Sequence, residues 1–335
     1  MQELKIRLLD EIQQDIPFVR KPFDVISERL GISLGKTVEL LKDLKEKGII
    51  RQIAPIYDTK SLGYISSLVA FKIEDDYLQE AVKILNAHPG ISHNYLREDE
   101  FNVWFTIALP PDSRLGLDNT IDILKEKTKA TKYVVLNTKR VFKISARFVE
   151  DGLRRESINK PKIFFGTLSE IDKLIVKYTQ YDLPIVENPF DELAYKIDID
   201  VETLLKILEN YRNSGIIRRF SGLLNHKKAG YMANGMSVWE ISDEKVEAYG
   251  VLMSSFKAVT HCYERTTNED WPYNLFCMIH GKTKEEVYTI LGQIKDSMEI
   301  NIPHKVLFSS KEFKKVRLRY FEEDYYIWEE NNHLV

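Results

Sequence analysis

The sequence predicts an α+β protein made by tandem duplication, in which each half joins a winged helix-turn-helix to a ferredoxin-like βαββαβ domain. Three observations lead to this prediction. The chain repeats itself over most of its 335 residues, each half opens with helices separated by a glycine-containing turn, and each half continues with alternating strand and helix patterns. Together they indicate two copies of one two-domain unit.

The internal repeat is the strongest of the three signals. A constant shift of 167 residues, from position 10 to position 177, places "DEIQQDIPFVRKPF" (10–23) over "KYTQYDLPIVENPF" (177–190). After one inserted residue, "ISHNYLRE" (91–98) lies over "VTHCYERT" (259–266). Matches of this length in this order indicate duplication of a whole unit.

The element patterns are clearest in the first half. Residues 23–50 have the pattern helix, glycine-containing turn, helix and glycine stop, and the strand-like "RQIAPIYD" (51–58) follows as a wing. Residues 64–144 then alternate strand and helix patterns in the order βαββαβ. The predicted domains are a helix-turn-helix (1–60), a ferredoxin-like domain (61–149), a charged linker (150–167), a second helix-turn-helix (168–227), a second ferredoxin-like domain (228–321) and an acidic tail (322–335).

Composition and charge narrow the class of protein. Hydrophobic residues make up 44% and charged residues 30%, which is typical of a globular chain. The net charge of -3 gives no general attraction to nucleic acid or an anionic membrane, and no apolar run approaches the roughly 20 residues that span a bilayer. Cys262 and Cys277 form neither a disulfide framework nor a CxxC metal motif, so we expect a cytoplasmic protein without membrane association.

The two candidate DNA-recognition helices differ in charge. The first, "SLGKTVELLKDLKEK" (33–47), carries four lysines against three acids, whereas the second, "DIDVETLLKILENYR" (198–212), carries four acids against two basic residues. DNA affinity comes largely from phosphate neutralisation, and paired half-sites need equivalent helices. We therefore expect no DNA binding and interpret both modules as scaffold and dimer contacts.

Two equivalent stretches carry the most unusual side chains. "SHNYLREDEFNVWFTIA" (92–108) and "THCYERTTNEDWPYNLFCMIHG" (260–281) share a His-x-Tyr-x-Arg motif, and the second contains an added "TNEDWP". The architecture of both halves resembles the Lrp/AsnC regulator family. Together with "RRFSGLLNHKKAGYMANGM" (218–236), the two stretches resemble more narrowly the siroheme decarboxylases, over nearly all of residues 1–320.

The resemblance implies an activity and a substrate. Two related subunits form a heterodimer in that family, and here both would be fused in one chain. The implied enzyme is a carboxy-lyase that removes CO2 from two acetate side chains of siroheme, giving 12,18-didecarboxysiroheme for heme d1 or alternative heme biosynthesis, with no cofactor besides the iron tetrapyrrole substrate. The alternatives are a Lrp/AsnC-type transcription regulator and a tetrapyrrole-binding protein without turnover, and further homo-dimerisation stays open.

Histidine is the natural proton donor for such a reaction, because its pKa lies near neutrality. We predict His226 and His261 as proton donors or polarising partners of the reacting acetates, with axial ligation of the substrate iron as a competing role. Tyr263 is predicted to orient a carboxylate or relay a proton. His226 has no counterpart, because the shift places Thr59 there, and this asymmetry suggests that one of two pseudo-symmetric clefts is active.

A flat substrate with eight carboxylates also needs cations and aromatic faces, and guanidinium groups bind carboxylates bidentately. The second half is the denser in such cations, and those of the last strand are expected to alternate onto one face. Trp271 is predicted either to cover the macrocycle or to plug a loop, and His280 either to be structural or to support the site. The predicted substrate-binding residues are Arg218, Arg219, Arg265, Trp271, Tyr273, Lys315, Arg317, Arg319, His93, Tyr95 and Arg97.

Overall fold

The structure, a computed structural model, describes residues 2–144, 164, 166–224, 233–298 and 302–332. These residues form two compact units. The helix-turn-helix unit comprises the described residues within Met1–Tyr64, Pro161–Lys228 and Arg319–Glu323. The strand unit comprises those within Ile65–Lys160, Ala229–Leu318 and Asp324–Val335. Each unit therefore takes segments from both halves of the duplication.

The helix-turn-helix unit contains two copies of the predicted motif. Its elements are α1 (Gln2–Gln13), α2 (Pro22–Leu30), α3 (Leu34–Glu46), β1 (Ile50–Tyr57), α6 (Glu170–Thr179), α7 (Asp191–Ile197), α8 (Val201–Ser214) and β6 (Ile217–Leu224). Helix α2 ends at Gly31, whose φ of 68° is a left-handed conformation that glycine adopts without strain. Helices α3 and α8 begin at Ser33 and Asp200, whose side chains accept a backbone N–H three residues later.

An aspartate clamp, formed by Asp15 and Asp182, joins the two copies reciprocally. The strands β1 and β6 pair antiparallel. Asp182 accepts a hydrogen bond from the backbone N–H of Ile53 on β1 (2.7 Å), and Asp15 accepts one from Phe220 on β6 (3.1 Å). In both copies the residue after the aspartate donates its own N–H to the carbonyl of the same strand residue, at 2.7 Å. The clamp gives a structural reason for the presence of aspartate at this point in both copies.

The strand unit has the predicted βαββαβ order twice. Its first half contains β2 (Ile65–Lys72), α4 (Asp75–Ala87), β3 (Ile91–Arg97), β4 (Val103–Leu109), α5 (Gly116–Thr128) and β5 (Lys132–Ile144). Its second half contains β7 (Ala233–Trp239), α9 (Val246–Ser255), β8 (Val259–Arg265), β9 (Leu275–Gly281), α10 (Lys284–Met298) and β10 (His304–Lys315). The order of elements agrees with the predicted tandem α+β fold.

The last strand of each half begins in its own sheet and ends in the other sheet, and we call β5 and β10 the exchanged strands. Residues 132–137 of β5 pair with β2, and residues 138–144 pair with β8. Residues 304–308 of β10 pair with β7, and residues 309–315 pair with β3. The hydrogen-bonded order is therefore β10-β3-β4-β2-β5-β8-β9-β7, and β7 pairs again with β10.

The exchange gives both halves a common core. We call it the interior cluster, and it consists of Leu68, Ala70, Phe101, Trp104, Val134, Leu136, Met236, Val238, Trp271, Phe276 and Leu307. Two further clusters cover the helix-facing sides of the sheets, one including residues of α4 and α5 and the other residues of α9 and α10. Each large apolar side chain buried in this way contributes about 1.5–3 kcal/mol. The interior cluster therefore binds the two halves together energetically.

Each exchanged strand also fixes a helix end of the opposite half. The ammonium of Lys143 donates to the carbonyl of Phe256 (2.8 Å), the residue that ends α9. The ammonium of Lys314 donates to the carbonyls of Asn86 (2.7 Å) and His88 (3.1 Å) at the end of α4. A cation at a helix C-terminus satisfies carbonyls that have no partner within the helix and complements the helix dipole. The repeated "FK" of the two strands therefore has a structural role.

The last strand, β10, ends earlier than the sequence pattern predicts. We expect Arg317 and Arg319 to continue the alternation of Lys315, and this expectation is wrong because β10 ends at Lys315. The residues that follow lead into the helix-turn-helix unit, where the buried Tyr320 donates its backbone N–H to the side-chain oxygen of Gln180 (2.7 Å). Arg319 lies in that unit as well.

The predicted acidic tail contains a helix, α11 (Glu323–Asn332). Its Tyr325 is buried in the cluster that covers α4 and α5, and its Glu329 accepts a hydrogen bond from Ser113 (2.7 Å). The longest helix in the described ranges is α10, with 15 residues. No helix within those ranges has the length and apolar content that crossing a bilayer requires.

The aspartate clamp predicts a measurable loss of stability. Asp182→Ala leaves the Ile53 N–H without its acceptor and should lower the free energy of unfolding by about 1–2 kcal/mol. Asp182→Asn keeps one acceptor oxygen and should lower it less. Urea unfolding followed by circular dichroism measures both, with Asp10→Ala on the exposed face of α1 as the matched control. Equal stability of the Asp182→Ala and Asp10→Ala proteins would contradict the clamp.

His88 predicts a loss of stability in acid. Its ring is fully buried, Nδ1 accepts the N–H of Gly90 (3.0 Å), and the ring lies 4.1 Å from that of Trp328. Burial, with a smaller effect of the Lys314 charge, lowers the pKa of His88 to about 3. Above the unfolded pKa of about 6.5 neither state binds a proton, so the contribution is complete there and is lost as pH falls toward about 3.

The test compares wild type with His88→Asn. Between pH 6.5 and pH 5, wild type should lose about 1.5 kcal/mol more unfolding free energy than the variant, because only the unfolded wild type gains the histidine proton there. Urea titrations at a series of pH values give this difference. Identical pH slopes for the two proteins would show that His88 is not the responsible group.

Candidate functional site

Two copies of the His-x-Tyr-x-Arg motif lie on β3 and β8, where alternate side chains share one face. We call them the first ladder (His93, Tyr95 and Arg97) and the second ladder (His261, Tyr263 and Arg265). The histidine and tyrosine centroids are 6.3 Å apart in the first ladder and 6.1 Å in the second, with interplanar angles of 28° and 29°. The guanidinium carbon lies over the tyrosine ring, at 5.7 Å and 4.9 Å. The structure therefore repeats the motif as a three-dimensional arrangement.

Both ladders face the interior cluster. Tyr95 lies directly opposite Trp104 of β4, and Tyr263 lies opposite Phe276 of β9. Trp104 and Phe276 belong to the interior cluster, and directly opposite residues share a face of the sheet. Burial, with a smaller effect of Glu312, raises the pKa of Tyr95 to about 12, so this phenol keeps its proton at neutral pH. The ladders thus place hydrogen-bonding groups beside an apolar surface.

The two ladder arginines hold the exchanged strands. Arg97 donates to the carbonyl of Leu307 on β10 (2.6 Å), and Arg265 donates to the carbonyl of Leu136 on β5 (3.0 Å). Both guanidinium groups are buried, and burial lowers the pKa of each to about 10, which leaves them charged at neutral pH. In each, Nε has no hydrogen-bond partner within the described residues. These contacts favour a structural role, and substrate binding by Arg97 and Arg265 stays a prediction.

The exchanged strands give the two ladder histidines different neighbours. His93 lies opposite Lys315 of β10, whereas His261 lies opposite Ile144 of β5. The sequence counts Lys315 among the cations of the second half. Strand exchange places it opposite a residue of the first ladder, while its charge also acts on His280 of the second half. The first ladder therefore has an ammonium beside its histidine, and the second has an aliphatic side chain there.

His280, at the end of β9, connects to the second ladder. Its Nε2 lies 2.9 Å from the hydroxyl of Thr260, and the same hydroxyl lies 2.9 Å from Nδ1 of His261. Its Nδ1 contacts Oδ1 of Asn234. Burial, with a smaller effect of the Lys315 charge, lowers the pKa of His280 to about 4, so the ring is neutral at physiological pH. The sequence predicts that His280 is either structural or supports the site. The structure connects it through Thr260 to His261, a predicted catalytic residue.

Two predicted substrate arginines lie in the helix-turn-helix unit. Arg218 pairs with the buried carboxylate of Asp58, with Nε 2.7 Å from Oδ2. Arg219 is half-buried on β6, opposite Ile56 of β1. His226, predicted as catalytic, lies outside the described residues. The roles of these three residues toward the substrate stay predictions.

The remaining predicted cations do not share one face. Lys315 is exposed at the end of β10, Arg317 is half-buried beyond that strand, and the guanidinium of Arg319 lies over the ring of Tyr181 at 5.3 Å. Arg319 and Tyr181 both belong to the helix-turn-helix unit, whereas Lys315 and Arg317 belong to the strand unit. Of the three, Lys315 is the one placed opposite a ladder residue.

Trp271 is buried within the interior cluster. Its side chain is 1% exposed, and its ring lies 5.1 Å from those of Trp104 and Tyr273. The backbone of Asn268 exchanges two hydrogen bonds of 3.1 Å with that of Trp271, which closes the added "TNEDWP" stretch as a tight turn. This placement favours the plug interpretation over that of a cover for the macrocycle. Tyr273 is half-buried beside it, with the ammonium of Lys305 at 5.6 Å from its centroid.

Positions at which the two copies differ are a sequence signal for the residues that the prediction missed. The position of His280 is occupied by Ala108 in the first half, and the position of Lys315 by Ile144. Such differences between otherwise matched copies mark the polar groups that distinguish the two ladders. Their spatial partners depend on the strand exchange, which the sequence pattern does not reveal.

Two family profiles match this chain, each of them twice. The first, described as an AsnC-like ligand binding domain, matches residues 61–143 and 228–314. The second, described as a siroheme decarboxylase NirDL-like HTH domain, matches residues 5–51 and 172–218. A siroheme decarboxylase of Hydrogenobacter thermophilus is 42% identical over 323 residues, which is 96% of each protein. The chain belongs to the siroheme decarboxylase family.

Solved structures of siroheme decarboxylases have the same fold. The crystal structure of the siroheme decarboxylase NirDL superposes with a TM-score of 0.81 at 38% identity, covering 98% of both chains. A second crystal structure, of NirDL in co-complex with an iron-uroporphyrin III analogue, superposes with a TM-score of 0.80 and the same identity and coverage. The predicted fold class and the predicted resemblance to fused siroheme decarboxylases are confirmed.

Proposed function

We propose that this chain is a carboxy-lyase that removes CO2 from two acetate side chains of siroheme and releases 12,18-didecarboxysiroheme. The observation that carries the proposal is the similarity to siroheme decarboxylases over 96% of the chain, which includes both helix-turn-helix and both ligand-binding regions. The product of this reaction serves heme d1 or alternative heme biosynthesis.

The reaction requires an apolar surrounding and a proton. In each step the bond between the acetate methylene and its carboxylate breaks, CO2 leaves, and the electron pair stays on the methylene carbon, where the conjugated ring stabilises it. A proton then converts the methylene into a methyl group, so each acetate consumes one proton. A poorly hydrated surrounding favours loss of the carboxylate charge, and a positioned acid supplies the proton.

In this proposal the second ladder supplies the proton. His261 donates it to the methylene carbon, and Tyr263 orients the carboxylate. The placement of the ladder supports these roles, because the strand neighbours of His261 are Met278 and Ile144, both apolar. Axial ligation of the substrate iron is the alternative role of His261, and His226 remains a second predicted proton donor.

The first ladder suits substrate binding. Lys315 places a positive charge opposite His93, and Tyr95 adds a neutral phenol two residues further along the strand. A macrocycle with eight carboxylates requires several cations, and ammonium groups bind carboxylates as point charges. Arg317 and Tyr273 of the strand unit belong to this proposal as predicted substrate ligands. Substrate contacts of Arg218, Arg219 and Arg319 stay predictions from the sequence.

The proposal has consequences for cofactors, location and assembly. It requires no cofactor besides the iron tetrapyrrole substrate, because the ring itself accepts the electron pair. It places the chain in the cytoplasm, where reducing conditions would keep Cys262 and Cys277 as free thiols although their sulfur atoms lie 3.3 Å apart, and it leaves further homo-dimerisation open. The fused halves supply both ladders within one chain.

The decisive experiment is incubation of the purified chain with siroheme under oxygen-free, reducing conditions. Mass spectrometry of the extracted pigment should show loss of one and then two carboxyl groups as CO2. Absorption spectra of the same samples report binding independently of turnover. Pigment that binds and keeps all its carboxyl groups would leave a tetrapyrrole-binding protein and overturn the enzymatic proposal.

The two ladders should respond differently to the loss of their histidines. His261→Ala should lower kcat by roughly 100-fold, the usual scale for a lost general acid, whereas His93→Ala should mainly raise KM. Steady-state rates at a series of siroheme concentrations separate the two effects. A His261→Ala enzyme with the wild-type kcat would show that the proton comes from elsewhere, and His226→Ala is then the next variant to measure.

The structure supports the expectation that the helix-turn-helix modules do not bind DNA. On α3, Lys36 pairs with Glu39 (2.9 Å) and Lys45 pairs with Asp182. Lys47, which directly follows the helix, pairs with Asp43 (2.6 Å). Arg212 at the end of α8 pairs with Asp15 (2.6 Å). These basic groups are therefore compensated within the unit and contribute little to phosphate binding.

A gel-shift assay tests this expectation. At about 50 mM salt, where phosphate contacts are strongest, the chain should give no complex that survives excess competitor DNA. A pool of random duplexes serves as the probe. A competitor-resistant, sequence-selective complex would favour the regulator alternative.

A further inference from the structure

We propose that His280 is a positioning residue that acts through Thr260 to hold His261 in the tautomer with its proton on Nδ1, so that Nε2 is the nitrogen that serves the substrate. The catalytic consequence rests on the proposed function, whereas the tautomer itself is a property of the free protein. We call Asn234, His280, Thr260 and His261 the polar relay.

A β-bulge brings the members of the relay together. The register between β8 and β9 shifts between Val259 and His261, which leaves Thr260 as the extra residue. A bulge re-aims the side chain at its position, and bulges recur next to active sites. Thr260 is thereby placed between His280 and His261, with its hydroxyl 2.9 Å from each ring. Its side chain is almost fully buried, so these contacts replace contacts with water.

The acceptor at the far end sets the direction of the relay. The group that meets Nδ1 of His280 is Oδ1 of Asn234, a carbonyl oxygen that accepts and cannot donate. Nδ1 of His280 therefore carries the proton, and Nε2 of this neutral ring is an acceptor. The hydroxyl of Thr260 has two acceptors in reach, the carbonyl of Met278 at 3.4 Å and that Nε2 at 2.9 Å, and the shorter contact assigns its proton to Nε2. Its oxygen then accepts the proton of Nδ1 of His261.

The described residues of the first half contain no equivalent relay. Ala108 stands at the position of His280, and Ser92 at the position of Thr260. The hydroxyl of Ser92 lies 2.9 Å from His93 and also 2.9 Å from the hydroxyl of Thr106, a partner that either donates or accepts. A hydroxyl pair of this kind imposes no direction on the ring of His93. The relay therefore distinguishes the second ladder from the first.

The direction of the relay suits proton donation from Nε2. When the imidazolium of His261 gives its Nε2 proton to the acetate methylene, the neutral ring that remains carries its proton on Nδ1. The relay stabilises this product of the transfer, because Thr260 accepts that proton. In histidine sites generally, the partner of one ring nitrogen decides which state the other presents, whether to a proton acceptor or to iron.

The two copies supply matched variants for a test. Thr260→Ser copies the first half and keeps the hydroxyl, whereas Thr260→Val removes it at similar size. His280→Ala also copies the first half and removes the group that orients the hydroxyl. Ser92→Ala is the control in the first ladder. Thermal melts of all variants establish that they fold.

The measurement is the long-range ¹H–¹⁵N correlation spectrum of the histidine rings in the substrate-free protein, with the His261 signals assigned by their loss in His261→Ala. Wild type, Thr260→Ser and Ser92→Ala should show His261 protonated on Nδ1. Thr260→Val and His280→Ala should shift it toward protonation on Nε2. An unchanged His261 tautomer in both of the latter proteins overturns the proposal.

Turnover separates this inference from the proposed function. With siroheme, kcat of Thr260→Val and His280→Ala should fall by about 10- to 100-fold, the usual scale for a lost supporting hydrogen bond, and Thr260→Ser should recover most of the rate. A shifted tautomer with unchanged kcat overturns the positioning role. A wild-type protein that shows the Nδ1 tautomer but does not decarboxylate siroheme overturns the proposed function and leaves the tautomer assignment standing.

Discussion

The strand exchange is the constraint on which the rest of the strand unit depends. The strands β5 and β10 each pair with strands of both halves. Their backbone carbonyls accept hydrogen bonds from the buried guanidinium groups of Arg265 and Arg97, respectively. The same strands place Lys143 and Lys314 at the helix ends of the opposite half. Backbone pairing, buried charge and the interior cluster therefore all require both halves. The strand unit is in this sense one folding unit and not two domains in series.

Much of the fold could be predicted because the signals are local or repeated. Gly31 marks the turn between α2 and α3, and the period of the apolar residues distinguishes strands from helices. The match of Asp15 with Asp182 revealed the duplication, and the aspartate clamp now explains both residues. Strand order within each half follows from the βαββαβ pattern. None of these signals requires knowledge of contacts between distant segments.

The candidate site was harder to predict because its contacts are distant in the chain. Lys315 belongs to the second half, yet it lies opposite His93, since β10 leaves its own sheet partway along. His261 and His280 lie on the two strands of one hairpin. Contact between them runs through Thr260, whose position in a bulge depends on the register of those two strands. Trp271 is a residue type that often contacts ligands, yet here it is buried against Trp104 of the other half. The residue types therefore predict the chemistry of the site, whereas the register of the paired strands determines which side chains are in contact.

The exchanged strands also set the order of events during synthesis. Arg97 and its acceptor Leu307 are 210 residues apart, so at ribosomal rates the edge of β3 waits on the order of 10–40 seconds for its partner. An exposed strand edge pairs readily with other chains during that interval. Encoding both halves in one polypeptide fixes their ratio at one to one and keeps the second half at a high local concentration beside the first. The fusion thus turns a bimolecular assembly step into the closure of a single chain.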